Sequence, residues 1–128
     1  MECRKKGEMA EKVKNFKELI MWKKGIEIVK DVYALTNRFP KEELYSLTFQ
    51  TRRSAISIPS NIAEGFKRSH NKEYKQFLHI TMGSLAELET QLIIAKELGF
   101  INDTELNNIS EKIDHVSKMV LSYSKKLD

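Results

Sequence analysis

The sequence is poor in the residues that break helices and in those that cross-link chains. It has five glycines and two prolines in 128 residues, which argues against a turn-rich β architecture. Its single cysteine, Cys3, excludes an internal disulfide and suits a reducing compartment. No apolar run exceeds four residues, and the start MECRKKGEMAEK lacks the apolar middle of a signal peptide. These features predict one cytoplasmic domain with no membrane span.

Positive charge is concentrated in the first part of the chain. The formal net charge is +4. Residues 1–75 carry 17 Lys/Arg against 10 Asp/Glu, whereas residues 76–128 carry 5 against 8. One half of the chain can therefore present a positive face that attracts phosphate backbones or acidic partners.

Apolar periodicity predicts four long helices. Pro40, Gly65 and Gly99 end successive stretches in which apolar residues recur every three or four positions. The predicted helices lie near 16–38, 41–64, 71–98 and 104–126. Short connections between long helices favour antiparallel neighbours, so the predicted fold is an all-α, antiparallel up-down-up-down four-helix bundle. It is assigned to residues 15–128, after a basic N-terminal extension at 1–14.

The first two helices carry more apolar surface than one bundle needs. A second apolar stripe accompanies the main one on each of them. The stripes are Ile28, Val32, Leu35 and Phe39 on the first helix and Tyr45, Phe49, Ile56 and Ala63 on the second. The excess predicts a subunit interface, since monomers rarely leave large apolar patches in water. A wide core face is the alternative, and periodicity alone does not separate the two.

The stretch RRSAISIPSNIAEGFKRS places Pro59 inside a predicted helix, at a cost of about 3 kcal/mol. The hydroxyls of neighbouring serines can satisfy the backbone groups that the proline frees. We interpret Pro59, together with Tyr45, Phe49 and Ile56, as part of an oligomer interface. A bend that only shapes one subunit is the alternative.

Arg52 shares a helix face with apolar residues, which predicts a partly buried guanidinium that needs a carboxylate. Direct contact with a ligand is the alternative. The candidate structural ion pairs draw on Arg52, Arg53, Glu64, Glu87 and Glu89.

A basic cluster lies at the second connection and the start of the third helix, where the helix dipole does not favour cations. With the basic residues of the N-terminal extension it predicts a nucleic-acid-binding surface, the alternative being an ordinary solvated surface. The candidate residues are Arg4, Lys5, Lys6, Lys67, Arg68, Lys72 and Lys75.

Signatures of catalysis are missing. There is no phosphate-binding glycine motif, and Cys3 has no partner for nucleophilic chemistry. His70, His79 and His115 lack cysteines or carboxylates at metal-ligand spacing. We therefore expect no enzyme activity, no catalytic residues, no metal and no cofactor.

The segments RRSAISIPSNIAEG and FLHITMGSLAELETQL carry a family resemblance. From Asn15 to about Asn102 the chain resembles the four-helix bundle proteins encoded by intervening sequences within bacterial 23S ribosomal RNA genes. The family motif falls on Arg52, Arg53, Ser57, Pro59, Asn61, Glu64, Gly65, Gly83, Ser84, Glu87 and Glu89. The chain departs from the family in its first 14 residues and in reading LTFQTRRS where the family more often has LTSQLRRA.

The resemblance implies a bundle that assembles into a homo-oligomeric ring, with pentamers among relatives. A related group, the accessory variability determinants of diversity-generating retroelements, consists of basic pentamers that bind nucleic acid and a reverse transcriptase. No activity is established for the ribosomal branch. The sequence thus supports two hypotheses. One is a homo-oligomer, with five copies as the expected ring, that binds RNA or DNA and has a reverse transcriptase as a candidate partner. The other is an oligomeric scaffold made for protein contacts alone.

Overall fold

The computed structural model describes residues 13–128, and within them all regular structure is helical. Four long helices are present, with bounds that follow the predicted breaks. They are α1 (Ile20–Thr36), α2 (Phe49–Phe66), α3 (Asn71–Glu97) and α4 (Asp103–Lys126). Helices α1 and α2 contact each other, as do α2 and α3, α3 and α4, and α1 and α4. The first and last helices therefore close the domain against each other.

The first two helices begin later than predicted, because shorter turns precede them. A 3-10 turn, Phe16–Glu18, comes before α1, and the Asn15 side chain caps it by accepting from the Lys17 backbone N–H at 2.9 Å. Leu19 then adopts an extended conformation that separates this turn from α1. Before α2 the chain forms a 3-10 turn, Lys41–Glu43, followed by a π turn, Leu44–Thr48.

The ends of the last two helices have local causes in the sequence. Gly99 has a φ of 83°, and the backbone N–H of Phe100 donates to the Ala95 carbonyl at 2.8 Å, which closes the end of α3. Asn102 caps α4 by accepting from the Glu105 backbone N–H at 2.8 Å. The Glu105 carboxylate in turn accepts from the Asn102 backbone N–H at 3.0 Å, which completes a capping box.

The core lies between the four helices and follows the predicted stripes of α3 and α4. On α3 the buried apolar positions run from Tyr74 to Ala95, and on α4 they run from Ile109 to Val120. On α1 the second predicted stripe turns out to be core, since Ile28 and Val32 are buried while Tyr33 is exposed. The wide core face is thus correct for α1.

Pro59 is buried inside α2 and does not form part of an exposed surface. Its ring lies against Gly25 of α1, where an added Cβ atom would stand 3.5 Å from the proline Cβ and Cδ. Pro59 therefore offers no exposed contact of its own, and the interpretation that it shapes an oligomer interface stays a prediction. The ring thus lies close to the α1 backbone, and the proline belongs to the packing of α1 on α2.

Candidate functional site

The predicted basic cluster is one structural unit at the connection between α2 and α3. Lys67 and Lys72 have exposed side chains that form no hydrogen bond or ion pair within residues 13–128. Arg68 pairs with Glu64 at 2.8 Å, and its guanidinium lies 4.6 Å from the centre of the Phe77 ring. The two unpaired lysines are the cations most available to an anionic ligand.

Lys75, the fourth cation of this cluster, pairs with Asp128. Arg4, Lys5 and Lys6, the rest of the predicted nucleic-acid surface, lie outside the described residues. The charge available at the α2–α3 connection is therefore smaller than the sequence suggests.

A buried tyrosine of α3 packs against the end of α2 beside this connection. Tyr74 is fully buried, with its ring centre 5.5 Å from that of Tyr123 and 6.2 Å from that of Phe66. Burial, with the nearby Tyr123 hydroxyl, raises the pKa of Tyr74 well above its ordinary value. Tyr74 therefore stays neutral, and no phenolate reduces the positive charge of Lys67, Arg68 and Lys72.

A second candidate surface is an exposed ridge along the outer side of α2 and the π turn before it. Tyr45 is 89% exposed, Phe49 54% and Ile56 42%, although all three are large apolar side chains. Monomeric proteins rarely leave such a contiguous patch in water. We call Tyr45, Phe49, Arg53 and Ile56 the α2 ridge.

Arg52 is anchored beside the α2 ridge by neutral groups of α1. Its Nε–H donates to Thr36 Oγ1 at 2.8 Å, and its Nη2–H donates to Asn37 Oδ1 at 3.0 Å. The guanidinium lies 4.4 Å from the centre of the Tyr33 ring, a cation–π distance. The predicted carboxylate partner is therefore wrong, because the α1–α2 packing supplies an amide, a hydroxyl and a ring instead.

The other predicted ion-pair residues also find different surroundings. Glu64 pairs with Arg68 one turn away on the same helix. Arg53 and Glu87 lie in one groove but form no ion pair with each other. Glu89 is half-buried on α3 and forms no ion pair within the described part of the chain.

The α2 ridge separates two grooves. Between α1 and α2 lies an apolar groove of about 400 Å³, flanked by Tyr33, Leu44 and Arg52. Between α2 and α3 lies a polar groove of about 630 Å³, which we call the α2–α3 groove. Tyr45, Phe49 and Arg53 line both grooves, so they form the wall between them.

The α2–α3 groove gathers residues from both segments that carry the family resemblance. Arg53, Ser57 and Asn61 of the motif come from α2, and Ser84 and Glu87 come from α3. From the sequence alone they are markers of fold and assembly, and the structure shows in addition that they share one surface.

Three other polar residues of this groove were missed: Gln50, Ser54 and Gln91. The signal that could have found the groove is spacing. Residues 53, 57 and 61 share one face of a helix, and so do residues 84, 87 and 91.

Metal-binding and membrane-spanning features are both missing from the described chain. Residues 13–128 contain no group of three or more His, Cys, Asp or Glu side chains arranged to hold a metal ion. Among the same residues, no helix is long and apolar enough to cross a membrane.

The profile of the 23S rRNA-intervening sequence protein family matches residues 17–122, most of the chain. The chain belongs to this family. A crystal structure from Bacteroides thetaiotaomicron, of a protein of unknown function in the S23 ribosomal protein family, is similar at 20% sequence identity with a TM-score of 0.77. The similarity covers 83% of this chain and 99% of that one, so the two share a fold over nearly the whole relative. No match was found among curated proteins.

Membership of the family confirms the resemblance that the two segments carry. It also connects the α2–α3 groove with the parts of the sequence most typical of the family. Most residues of this groove lie on RRSAISIPSNIAEG and FLHITMGSLAELETQL, and the basic connection follows directly after the first of these segments.

Proposed function

We propose that this protein is a non-enzymatic, cytoplasmic homo-oligomer that binds nucleic acid through the basic connection between α2 and α3. The up-down-up-down arrangement and the ring of five that the resemblance implies are part of this proposal. So is a reverse transcriptase as a candidate partner, by analogy with the accessory variability determinants. Membership of a family named for an rRNA intervening sequence supports an RNA-related role.

The observation that carries the proposal is the pair of exposed, unpaired cations at Lys67 and Lys72. Surface lysines that pair with a carboxylate lose much of their attraction for phosphate, but these two form no ion pair within residues 13–128. Each copy in an oligomer would add its pair to a shared field. No Phe, Tyr or Trp lies between Lys67 and Lys72, so binding would rest on phosphate neutralisation.

The proposal predicts binding that depends strongly on salt and weakly on sequence. On duplex DNA, the affinity should fall with a log–log slope of roughly −0.9 for each phosphate neutralised. Fluorescence anisotropy with RNA and DNA of several sequences, at salt concentrations from about 50 to 200 mM, measures this slope. Replacing Lys67 and Lys72 together by Glu should abolish binding while the oligomer stays intact.

A double variant of equal charge change serves as the control. Lys30 and Lys41 are also exposed and unpaired within the described residues, but they lie on α1 and in the turn before α2. Replacing both by Glu should weaken binding far less. Equal losses from the two double variants would mean that net charge, and not the basic connection, governs binding.

The second candidate function is a scaffold for protein contacts, and the α2 ridge favours it. Its three large apolar side chains would be covered in a protein complex. If the assembled wild-type protein binds neither RNA nor DNA at low salt, the scaffold becomes the preferred function.

A further inference from the structure

Two side chains of opposite charge line the α2–α3 groove without forming an ion pair in the described structure. Arg53 on the α2 ridge and Glu87 on α3 are both exposed, and neither forms an ion pair within residues 13–128. The only side-chain hydrogen bond of Glu87 in the described chain is a long one of 3.4 Å, in which Ser54 Oγ donates to the carboxylate. One wall of the groove therefore offers an unpaired cation, and the other offers an unpaired anion.

Two neighbouring polar side chains of α2 have their donors engaged within the helix. Ser57 Oγ donates to the Ser54 carbonyl at 2.7 Å, and Asn61 Nδ2 donates to the Ser57 carbonyl at 2.8 Å. Gln91 is only 8% exposed, and its Oε1 is buried with no hydrogen-bond partner in the described structure. Buried polar atoms are nearly always paired, so the Gln91 Oε1 atom and the weakly bonded Glu87 carboxylate are the acceptors of this groove that remain without a well-placed donor.

A guanidinium fits this demand better than other protein groups. It is planar, carries five N–H donors and accepts no hydrogen bond, so it complements a carboxylate surrounded by amide and hydroxyl oxygens. The methylene groups of an arginine can lie along the apolar ends of the groove, where Phe49 and Ile80 line it.

We propose that Arg53 of a second copy of this chain enters the α2–α3 groove and pairs with Glu87. The second copy is the occupant because Arg53 stands on the α2 ridge, whose apolar side chains also need cover. A neighbour that covers the ridge of one copy brings its own unpaired guanidinium to the same surface. The unpaired cation on the ridge of one copy is thus complementary to the unpaired anion in the groove of its neighbour.

This contact can repeat around a ring. The α2 ridge has the α1–α2 groove on one side and the α2–α3 groove on the other. A ridge that packs into the α2–α3 groove of the next copy makes a head-to-tail contact, and such a contact can repeat until a ring closes. The inference rests on the self-assembly in the proposed function and names the residues that would set its register.

The test reverses each of the two charges in a separate variant and then mixes the two variants. Arg53→Glu places two acids at the contact, and Glu87→Arg places two cations there. Each variant alone should associate at least about tenfold more weakly than the wild type, as expected when a charge pair becomes a repulsion. An equimolar mixture of the two should associate more strongly than either variant alone. In the mixture, the acid introduced by Arg53→Glu meets the cation introduced by Glu87→Arg, and the unchanged Arg53 of one variant meets the unchanged Glu87 of the other.

Sedimentation equilibrium without nucleic acid measures association, and circular dichroism checks that each variant is folded. Glu111→Arg is the matched control, since Glu111 is an exposed glutamate on α4 outside the groove and the charge change is the same. This control should associate like the wild type. A pair formed within one chain cannot be recovered by mixing, so recovery is specific to a contact between copies.

Three results would overturn the inference: single variants that associate like the wild type, a mixture that stays dissociated, or a wild-type protein that is a monomer. A monomer would leave the groove to another protein or leave it empty. Anisotropy titrations of the same samples with RNA report nucleic-acid binding separately. Failure of the Arg53–Glu87 contact is thereby distinguished from failure of the proposed function.

Discussion

Arg52 shows how one side chain can fasten two helices without an opposite charge. It leaves α2, crosses to α1 and donates to a buried threonine oxygen and to an asparagine oxygen. Thr36 in turn donates to the Val32 carbonyl at 2.8 Å, so the hydroxyl that accepts from Arg52 is itself held in place. The arginine therefore completes a hydrogen-bonded chain at the end of α1.

At the residue scale we predict that Arg52→Ala lowers the free energy of unfolding by about 1.5–3 kcal/mol, the usual worth of hydrogen bonds to a charged group. The buried Thr36 oxygen would lose its donor, and Tyr33 would lose its cation. Lys72→Ala, at an exposed and unpaired position, should change stability by no more than about 0.5 kcal/mol. Urea unfolding measures both, and equal small effects would mean that Arg52 is merely solvated.

The sequence was sufficient to place Arg52 partly inside the protein but not to find its partners. Its helix face follows from spacing within α2, which is local information. Its partners lie 15 and 16 residues earlier, and which of them come near depends on how α1 rotates against α2. Because α1 carries two apolar stripes, the sequence does not determine which of its faces packs against α2. The prediction of a carboxylate therefore rested on charge alone, and the structure places Thr36 and Asn37 there instead.

At the scale of elements, α2 and α3 pack tightly against each other at Gly65. A Cβ atom there would stand 2.9 Å from Phe77 Cβ and 3.0 Å from Tyr74 Cδ1. The glycine is required by the neighbouring helix and not by its own backbone, because its φ is not positive. Gly83, in the middle of α3, is the contrasting case: it is exposed, and an added Cβ would meet nothing within 4 Å.

We predict opposite effects of alanine at these two glycines. Gly65→Ala should destabilise the protein by about 1–3 kcal/mol, because the methyl group overlaps the start of α3. Gly83→Ala should stabilise it by about 0.5–1 kcal/mol, because alanine restricts the unfolded chain and fits an open helical position. Thermal unfolding of the two variants measures both effects. A gain in stability at Gly65 would mean that α3 can move away at little cost.

The elements themselves were predictable where their signals are local. The seams of α3 and α4, the glycine at the end of α3 and the cap of α4 all depend on residues within a few positions of each other. The burial of Pro59 was not predictable, because it depends on the packing of α2 against α1. The α2–α3 groove was not predictable either, because it forms only where two helices pack together. Each of its walls is nevertheless recognisable in the sequence as polar residues at helical spacing.

At the scale of the whole molecule, exposed apolar surface is unevenly placed. The α2 ridge collects three large apolar side chains beside unpaired charge, whereas Ile93 of α3 stands outside the residues that line the ridge grooves. Ile93 is 43% exposed and Ile56 is 42% exposed, so the two isoleucines have nearly the same contact with water. Ile56 belongs to the α2 ridge, and Ile93 does not.

We predict that Ile56→Asp dissociates the oligomer while Ile93→Asp does not. The aspartate at position 56 would bury an unpaired charge under a neighbouring copy, which association cannot offset. Light scattering at micromolar protein concentration measures the particle mass, and circular dichroism should show the same helix content for both variants. Assemblies of equal mass from the two variants would place the interface elsewhere.

The π turn at Leu44–Thr48 carries Tyr45, one end of the α2 ridge, whereas the rest of the ridge and the core positions lie on α2 itself. Successive residues of an α-helix differ in direction by about 100°, so each residue gained or lost before Phe49 re-aims Tyr45 without turning Thr51, Ala55 or Ile58 away from the core. Tyr45, at one end of the assembly surface, can thus change direction by insertion or deletion while the core positions of α2 keep theirs. Related chains with identical cores could differ in which copies they accept as neighbours.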